Sequence, residues 1–159
     1  MAERKFDFWR DHSLNYLQMA FGYDRHARLQ NPDGFGRRTG ECGDTVEMFL
    51  CIDSGRIQSV SFAANGCINT NACANTVSHL AEGKTIDKAW ELTPDNVIEF
   101  LETLPEENYH CAELAVGAFY RALANYQELQ RNSWKKPYQK GQNNDSEDQK
   151  NSICNRSLR

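Results

Sequence analysis

Two stretches of alternating apolar residues, one on each side of a turn tripeptide, limit what this chain can fold into more than any other feature. In Thr45-Val46-Glu47-Met48-Phe49-Leu50-Cys51-Ile52, the residues Val46, Met48, Leu50 and Ile52 share one face of a strand. Asp53-Ser54-Gly55 supplies the turn, and Arg56 to Ala63 returns with Val60 and Phe62 facing one way. Phe35 to Thr39 offers a third, short strand.

After Asn65-Gly66-Cys67 the period becomes helical. Ala72 to Glu82 carries Ala72, Val77, Leu80 and Ala81, and Gly83 follows as a stop. Thr85 caps a short helix through Trp90, and Thr93-Pro94 opens another to about Thr103. Leu104-Pro105 breaks the chain. A long helix is expected from about Tyr109 to Gln130, with Ala115, Phe119, Ala122, Tyr126 and Leu129 on one stripe. Ahead of the strands, Phe6 to Phe21 reads as one helix with Phe6, Trp9, Tyr16, Leu17 and Ala20 on one side, and residues 24–43 read as a loop. Strands followed by segregated helices give an α+β fold, a small three-stranded antiparallel sheet packed against several helices.

At 159 residues the chain is expected to form one domain over residues 1–132, followed by a polar tail, residues 133–159, too poor in apolar residues to order itself. The net charge of −4 and scattered Lys and Arg provide no clustered basic face, which argues against nucleic acid or an anionic membrane as partner. No apolar run approaches the roughly 20 residues needed to span a bilayer. The first residues carry no secretory pattern, so a cytoplasmic location is expected.

Six cysteines in such a chain need a chemical reason. In a reducing compartment thiols serve as small buried hydrophobes or as metal ligands. Three segments at element boundaries stand out: Cys42-Gly43-Asp44, Gly66-Cys67 and His110-Cys111. A thiol at a helix N-terminus meets unpaired N–H groups, which favours thiolate, the form that binds soft metals and iron–sulfur cores. Asp44 is a harder donor, suited to a cluster meant to leave. The alternatives are buried structural cysteines, a turn or N-cap role for Asp44, and a capping or solvent-facing role for His110. Adjacent helical residues diverge by about 100°, so His110 and Cys111 are not both expected to bind at once. Cys73 reads as a core or near-site residue, Cys51 as packed or edge-exposed, and Cys154 as incidental.

Cys-Gly-Asp-Thr before a strand, Gly-Cys leading into a helix, Glu-Gly-Lys-Thr-Ile-Asp-Lys-Ala after it, and Leu-Pro…His-Cys opening the last helix resemble the IscU/NifU-type iron–sulfur cluster scaffold family, over roughly Phe35 to Gln127. The resemblance implies a scaffold and not an enzyme. It would assemble a transient two-iron, two-sulfur (2Fe-2S) cluster with sulfur from a cysteine desulfurase, then hand it to apo-proteins. By position Cys42, Asp44, Cys67 and Cys111 match the family's cluster-binding residues, with Cys111 as persulfide acceptor. His110 matches the histidine beside the last cysteine. The same set, Cys42, Asp44, Cys67, His110 and Cys111, would hold zinc in the cluster-free state.

Departures from the family pattern carry information. Ile68 follows Cys67 where the family commonly has glycine, making that loop stiffer. Leu104-Pro105-Glu106-Glu107-Asn108 replaces Leu-Pro-Pro-Val-Lys, which argues against docking of a specialised Hsp70-type chaperone. The insertion of the zinc-dependent SufU branch is absent between Cys67 and Cys111. The competing readings are a SufU-like zinc-binding sulfur acceptor and a zinc-stabilised interaction module. A Cys–His hydrolase is disfavoured because His110 and Cys111 are neighbours without an orienting third residue. The oligomeric state, a homodimer included, stays open.

Overall fold

The computed structural model describes residues 7–22 and 24–131. The expected tail, residues 133–159, lies outside the described residues, as do Cys154 and Phe6. Three strands, β1 (Gly34–Thr39), β2 (Thr45–Asp53) and β3 (Arg56–Asn65), form an antiparallel sheet in the order β1-β2-β3. Around it run α1 (Phe8–Asp11), α2 (Leu14–Phe21), α3 (Ile68–Ala81), α4 (Ile86–Ala89), α5 (Pro94–Leu101) and α6 (Tyr109–Arg131). This is the expected α+β arrangement, with the third strand present at β1.

The sheet face carrying Val46, Met48 and Leu50 is the one the helices bury, and all three are fully buried. Their cross-strand partners are Ala64, Phe62 and Val60 on β3 and Arg38, Gly36 and Gly34 on β1. Helix α6 lies so close to β1 that a Cβ on Gly36 would fall 2.2 Å from the Ala118 carbonyl oxygen. Only a residue without a side chain lets the helix backbone settle there. Ala115, Phe119 and Ala122 are buried, as the α6 stripe requires. Phe49 and Cys51, on the other sheet face, are buried as well, which settles Cys51 as a packed residue.

Three expectations need correction. The single helix from Phe6 to Phe21 is two helices, because Ser13 turns extended and its side chain accepts the Tyr16 N–H at 3.0 Å, starting α2 afresh. With the break, Trp9 is 67% exposed and does not join the buried stripe. Helix α3 begins at Ile68 and not at Ala72, directly after the N-cap Cys67. Its buried face is unusually polar: Thr70, Asn75, Thr76 and Ser78 are all buried. Thr76 and Ser78 donate back to carbonyls one turn earlier, at 2.7 and 2.9 Å. Asn75 donates to the Met19 carbonyl at 3.1 Å and Asn71 to that of Ala20 at 3.0 Å. The last carbonyls of α2, which have no partner inside their own helix, are satisfied in this way. An apolar periodicity cannot register such a face. Helix α5 ends at Leu101, two residues early, where Glu102 takes a positive φ of 63°.

Helix α2 is also tied to α5, by Ser13 donating to the Leu101 carbonyl at 2.6 Å and Asn15 to that of Phe100 at 3.1 Å. Helix α2 thereby braces the first two turns of α3.

Candidate metal centre

The β1–β2 turn, the β3–α3 junction and the start of α6 meet at one end of the sheet. The turn runs from Gly40 to Asp44, closed by Gly40 N–H donating to the Asp44 carbonyl at 2.8 Å and Gly43 N–H to that of Gly40 at 3.0 Å. Gly43 has φ +90°, a conformation that glycine adopts without strain, and so Cys42 and Asp44 can flank one tight bend. Asp44 opens onto Gly66: a Cβ there would lie 2.4 Å from the carboxylate. The Gly of Gly-Cys is therefore the space in which Asp44 sits.

Asp44, Cys67 and Cys111 each point one donor atom into the same space, all within 4.8 Å of one another. That is close to the spacing expected for ligands of a shared metal, about 4 Å between sulfurs. Cys67 is exposed at the N-cap of α3, with no side-chain capping bond of its own. Cys111 is buried. Among the described residues, Cys42 lies outside this tight trio, exposed on the turn. His110 is also outside it, yet its Nε2 lies 3.6 Å from the Cys111 sulfur. The backbone divergence of neighbours on a helix is real, but the longer imidazole folds back across it. An open groove of about 510 Å³ borders the trio, lined by Arg38, Gly40, Glu41, Cys42, His110, Glu113 and Leu114.

Electrostatics divides the donors. The Thr70 hydroxyl, donating at 2.6 Å, holds the Asp44 carboxyl below the usual carboxylate range, with smaller help from Cys67 and Cys42. Burial pushes the Cys111 thiol up to about 11, opposed by a contact with Thr70 and reinforced by the neighbouring Cys67 thiol and Asp44. This corrects the expectation of a ready thiolate at the head of α6. Desolvation there outweighs the Thr70 hydrogen bond, and a cation bound beside the sulfur would favour release of its proton. Cys73 sits fully buried, its thiol also raised well above normal by burial and by Cys111 and Cys67, which makes it a core residue beneath the site.

Sequence reasoning missed Thr70. Its hydroxyl lies 2.6 Å from Asp44 Oδ2, 3.4 Å from the Cys111 sulfur and 3.5 Å from the Cys67 sulfur. The available signal was position: three residues after Cys67, a helix starting at Ile68 turns residue 70 back toward its own N-terminus.

The fold and this cysteine–aspartate end of the sheet define an α+β domain with a candidate metal-binding end. Residues 30–133 match the family described as NifU-like N terminal domain, and the chain belongs to it. An iron–sulfur cluster assembly protein IscU of Plasmodium falciparum is 34% identical over 122 residues, covering 77% of this chain and 73% of that one. The iron–sulfur cluster assembly scaffold protein IscU 1 of Archaeoglobus fulgidus is 33% identical over 100 residues, 62% of this chain. The match spans 65% of that archaeal relative's length, just under two thirds. The fold is shared with a crystal structure of a putative iron–sulfur cluster assembly scaffold protein for the SUF system from Fervidobacterium islandicum. That match has a TM-score of 0.61 and 20% identity, covering 70% of this chain and 95% of the other.

Proposed function

We propose that the chain is a scaffold on which a 2Fe-2S cluster is built and from which it is passed to apo-proteins, with a cysteine desulfurase as sulfur donor. The observation that carries this reading is the convergence of Asp44, Cys67 and Cys111 donors within 4.8 Å at an end of the sheet that is exposed on one side. Membership of the NifU-like family and the IscU relatives support it. In this reading Cys42, Asp44, Cys67 and Cys111 hold the cluster, and His110 serves as an alternative ligand when zinc occupies the site or the cluster departs. The scaffold performs no turnover of its own, and no described helix is long and apolar enough to cross a membrane.

Sulfur arrives as the terminal sulfur of the desulfurase's persulfide. A cysteine thiolate of the scaffold attacks that sulfur, the S–S bond breaks, and the desulfurase cysteine leaves as thiolate. Each sulfur then needs two electrons from a separate reductant to become sulfide. The family resemblance gives the acceptor role to Cys111, whose sulfur is closed to solvent, whereas Cys42 and Cys67 are open to it. Acceptance at Cys111 therefore requires its buried sulfur to be uncovered. Persulfide labelling that is lost in Cys111→Ser supports this route; labelling that is lost only in Cys42→Ser or Cys67→Ser contradicts it.

A second reading is a zinc-holding sulfur acceptor. The His110 Nε2 at 3.6 Å from the Cys111 sulfur favours it, because imidazole and thiolates suit zinc. Anaerobic reconstitution with ferrous iron, cysteine, a desulfurase and a thiol reductant separates the two. A visible-absorbing cluster that transfers to an apo-ferredoxin supports the scaffold. Colourless protein that stimulates the desulfurase only when loaded with zinc supports the acceptor.

A further inference from the structure

Thr70 is fully buried on the first turn of α3, and its hydroxyl lies within reach of three of the site's donors. A hydroxyl has one proton to give. The 2.6 Å approach to Asp44 Oδ2 is that of a strong hydrogen bond to a charged acceptor, whereas the contacts to the Cys111 and Cys67 sulfurs, 3.4 and 3.5 Å, are those of a lone-pair neighbour or weak partner. The Cys67 backbone N–H adds a longer bond to the same oxygen, at 3.4 Å. Both bonds fall on Oδ2, leaving Oδ1 with its lone pairs unengaged by either.

The setting makes the hydroxyl hard to replace. Asp44 stands on a five-residue turn and packs over a glycine, so no side chain of Gly66 steers it. Thr70 belongs to a helix braced by α2 through Asn71 and Asn75, and by Tyr16, which donates to Asn69 Oδ1 at 2.5 Å. A helix-borne hydroxyl thus supplies the strongest of the contacts on Asp44, with the Cys67 and Cys42 side chains giving weaker ones.

Taking the metal-centre reading above as its basis, we infer that Thr70 is the positioning residue of the site: its hydroxyl clamps Asp44 Oδ2, so that the other carboxylate oxygen is presented to a metal shared with Cys67 and Cys111. Outer-shell groups that orient a ligand in this way are commonly worth roughly 10–100-fold in metal affinity. The role belongs to the hydroxyl and not to the methyl group, which packs in the interior and would survive in valine.

The test is zinc affinity of the full chain, measured by competition with a chromophoric chelator, for wild type, Thr70→Val, Thr70→Ser, Asp44→Ala and the Asp44→Ala/Thr70→Val pair. Thermal melting of each metal-free protein reports separately on folding. Thr70→Val should lose roughly 10–100-fold in affinity, and Thr70→Ser should stay within about threefold of wild type. In the Asp44→Ala background the valine change should cost nothing further, because the clamp has nothing left to hold. Wild-type affinity in Thr70→Val overturns the inference, as does equal loss in the serine variant, or full additivity in the pair. Wild-type protein that takes up neither zinc nor cluster sinks the metal-centre reading itself, and this inference with it; a wild type that binds, with no Thr70 effect, sinks the inference alone.

Discussion

The two walls of the candidate metal centre are built differently. The inner wall is Cys111 on α6 and Thr70 on α3, both fully buried and backed by the helix core. The outer wall is Cys42 on a five-residue turn, exposed Cys67 at a helix cap, and exposed His110. Rigid, dry groups fix where a metal sits; exposed groups on turns can let go of it. A permanent redox centre gains from four walls of the first kind, and a carrier gains from having one of each.

The sharpest way to break that comparison is to delete one thiol from each wall. Cys111→Ala should lower zinc affinity by more than the roughly 100-fold typical of the largest outer-shell effects, while Cys42→Ala should lose about tenfold or less. Equal losses in chelator competition would erase the distinction between the walls. Gly66→Ala follows, because the new Cβ meets the Asp44 carboxylate at 2.4 Å. Displacing Asp44 should cost roughly 10–100-fold in zinc affinity, with thermal melting little changed. A large drop in melting temperature would mean that the glycine serves the fold and not the site.

Asp44→Ala sharpens the comparison from the exit side. Removing the hard oxygen donor should lengthen the life of a reconstituted cluster and slow its transfer to an apo-ferredoxin, both followed by visible absorbance. An unchanged lifetime would remove Asp44 from the labile ligands. The smallest effect concerns the brace behind the inner wall. Burial raises the Tyr16 hydroxyl to about 12 from its ordinary 10.0, with Cys73, Cys67 and Cys111 adding to it. The unfolded chain releases that proton near its ordinary value, and the folded chain keeps it until about 12. Stability is therefore fully present below pH 10 and is lost as pH climbs through that interval. Tyr16→Phe should lack this alkaline fall while costing about 1 kcal/mol at neutral pH for the bond to Asn69. Identical alkaline melting curves for the two proteins would show that Tyr16 is not the group responsible.

Much of this was legible in the chain. Alternation at Val46, Met48 and Leu50 marked the buried sheet face, and Thr93-Pro94 and Gly83 marked helix ends, because those signals are local. Asp44, Cys67 and Cys111, whose donors converge, stood out because each sits at an element boundary, as does Cys42, which lies outside that trio. The true start of α3 was not, since Thr70, Asn71 and Asn75 bury polar groups whose partners come from distant parts of the chain. For the same reason the dryness around Cys111, set by long-range packing, reversed the local expectation of a helix-end thiolate. The break at Ser13 was not read, because the aromatic periodicity on both sides of it runs on as one helix.

The central claim is that Asp44, Cys67 and Cys111 bind one metal together, and the optical spectrum of the cobalt(II)-loaded protein tests it most directly. Thiolate-to-cobalt charge transfer with tetrahedral ligand-field bands is the predicted result, lost in Cys111→Ala and retained in Cys73→Ala. A spectrum free of thiolate charge transfer, or one indifferent to Cys111→Ala, would contradict it.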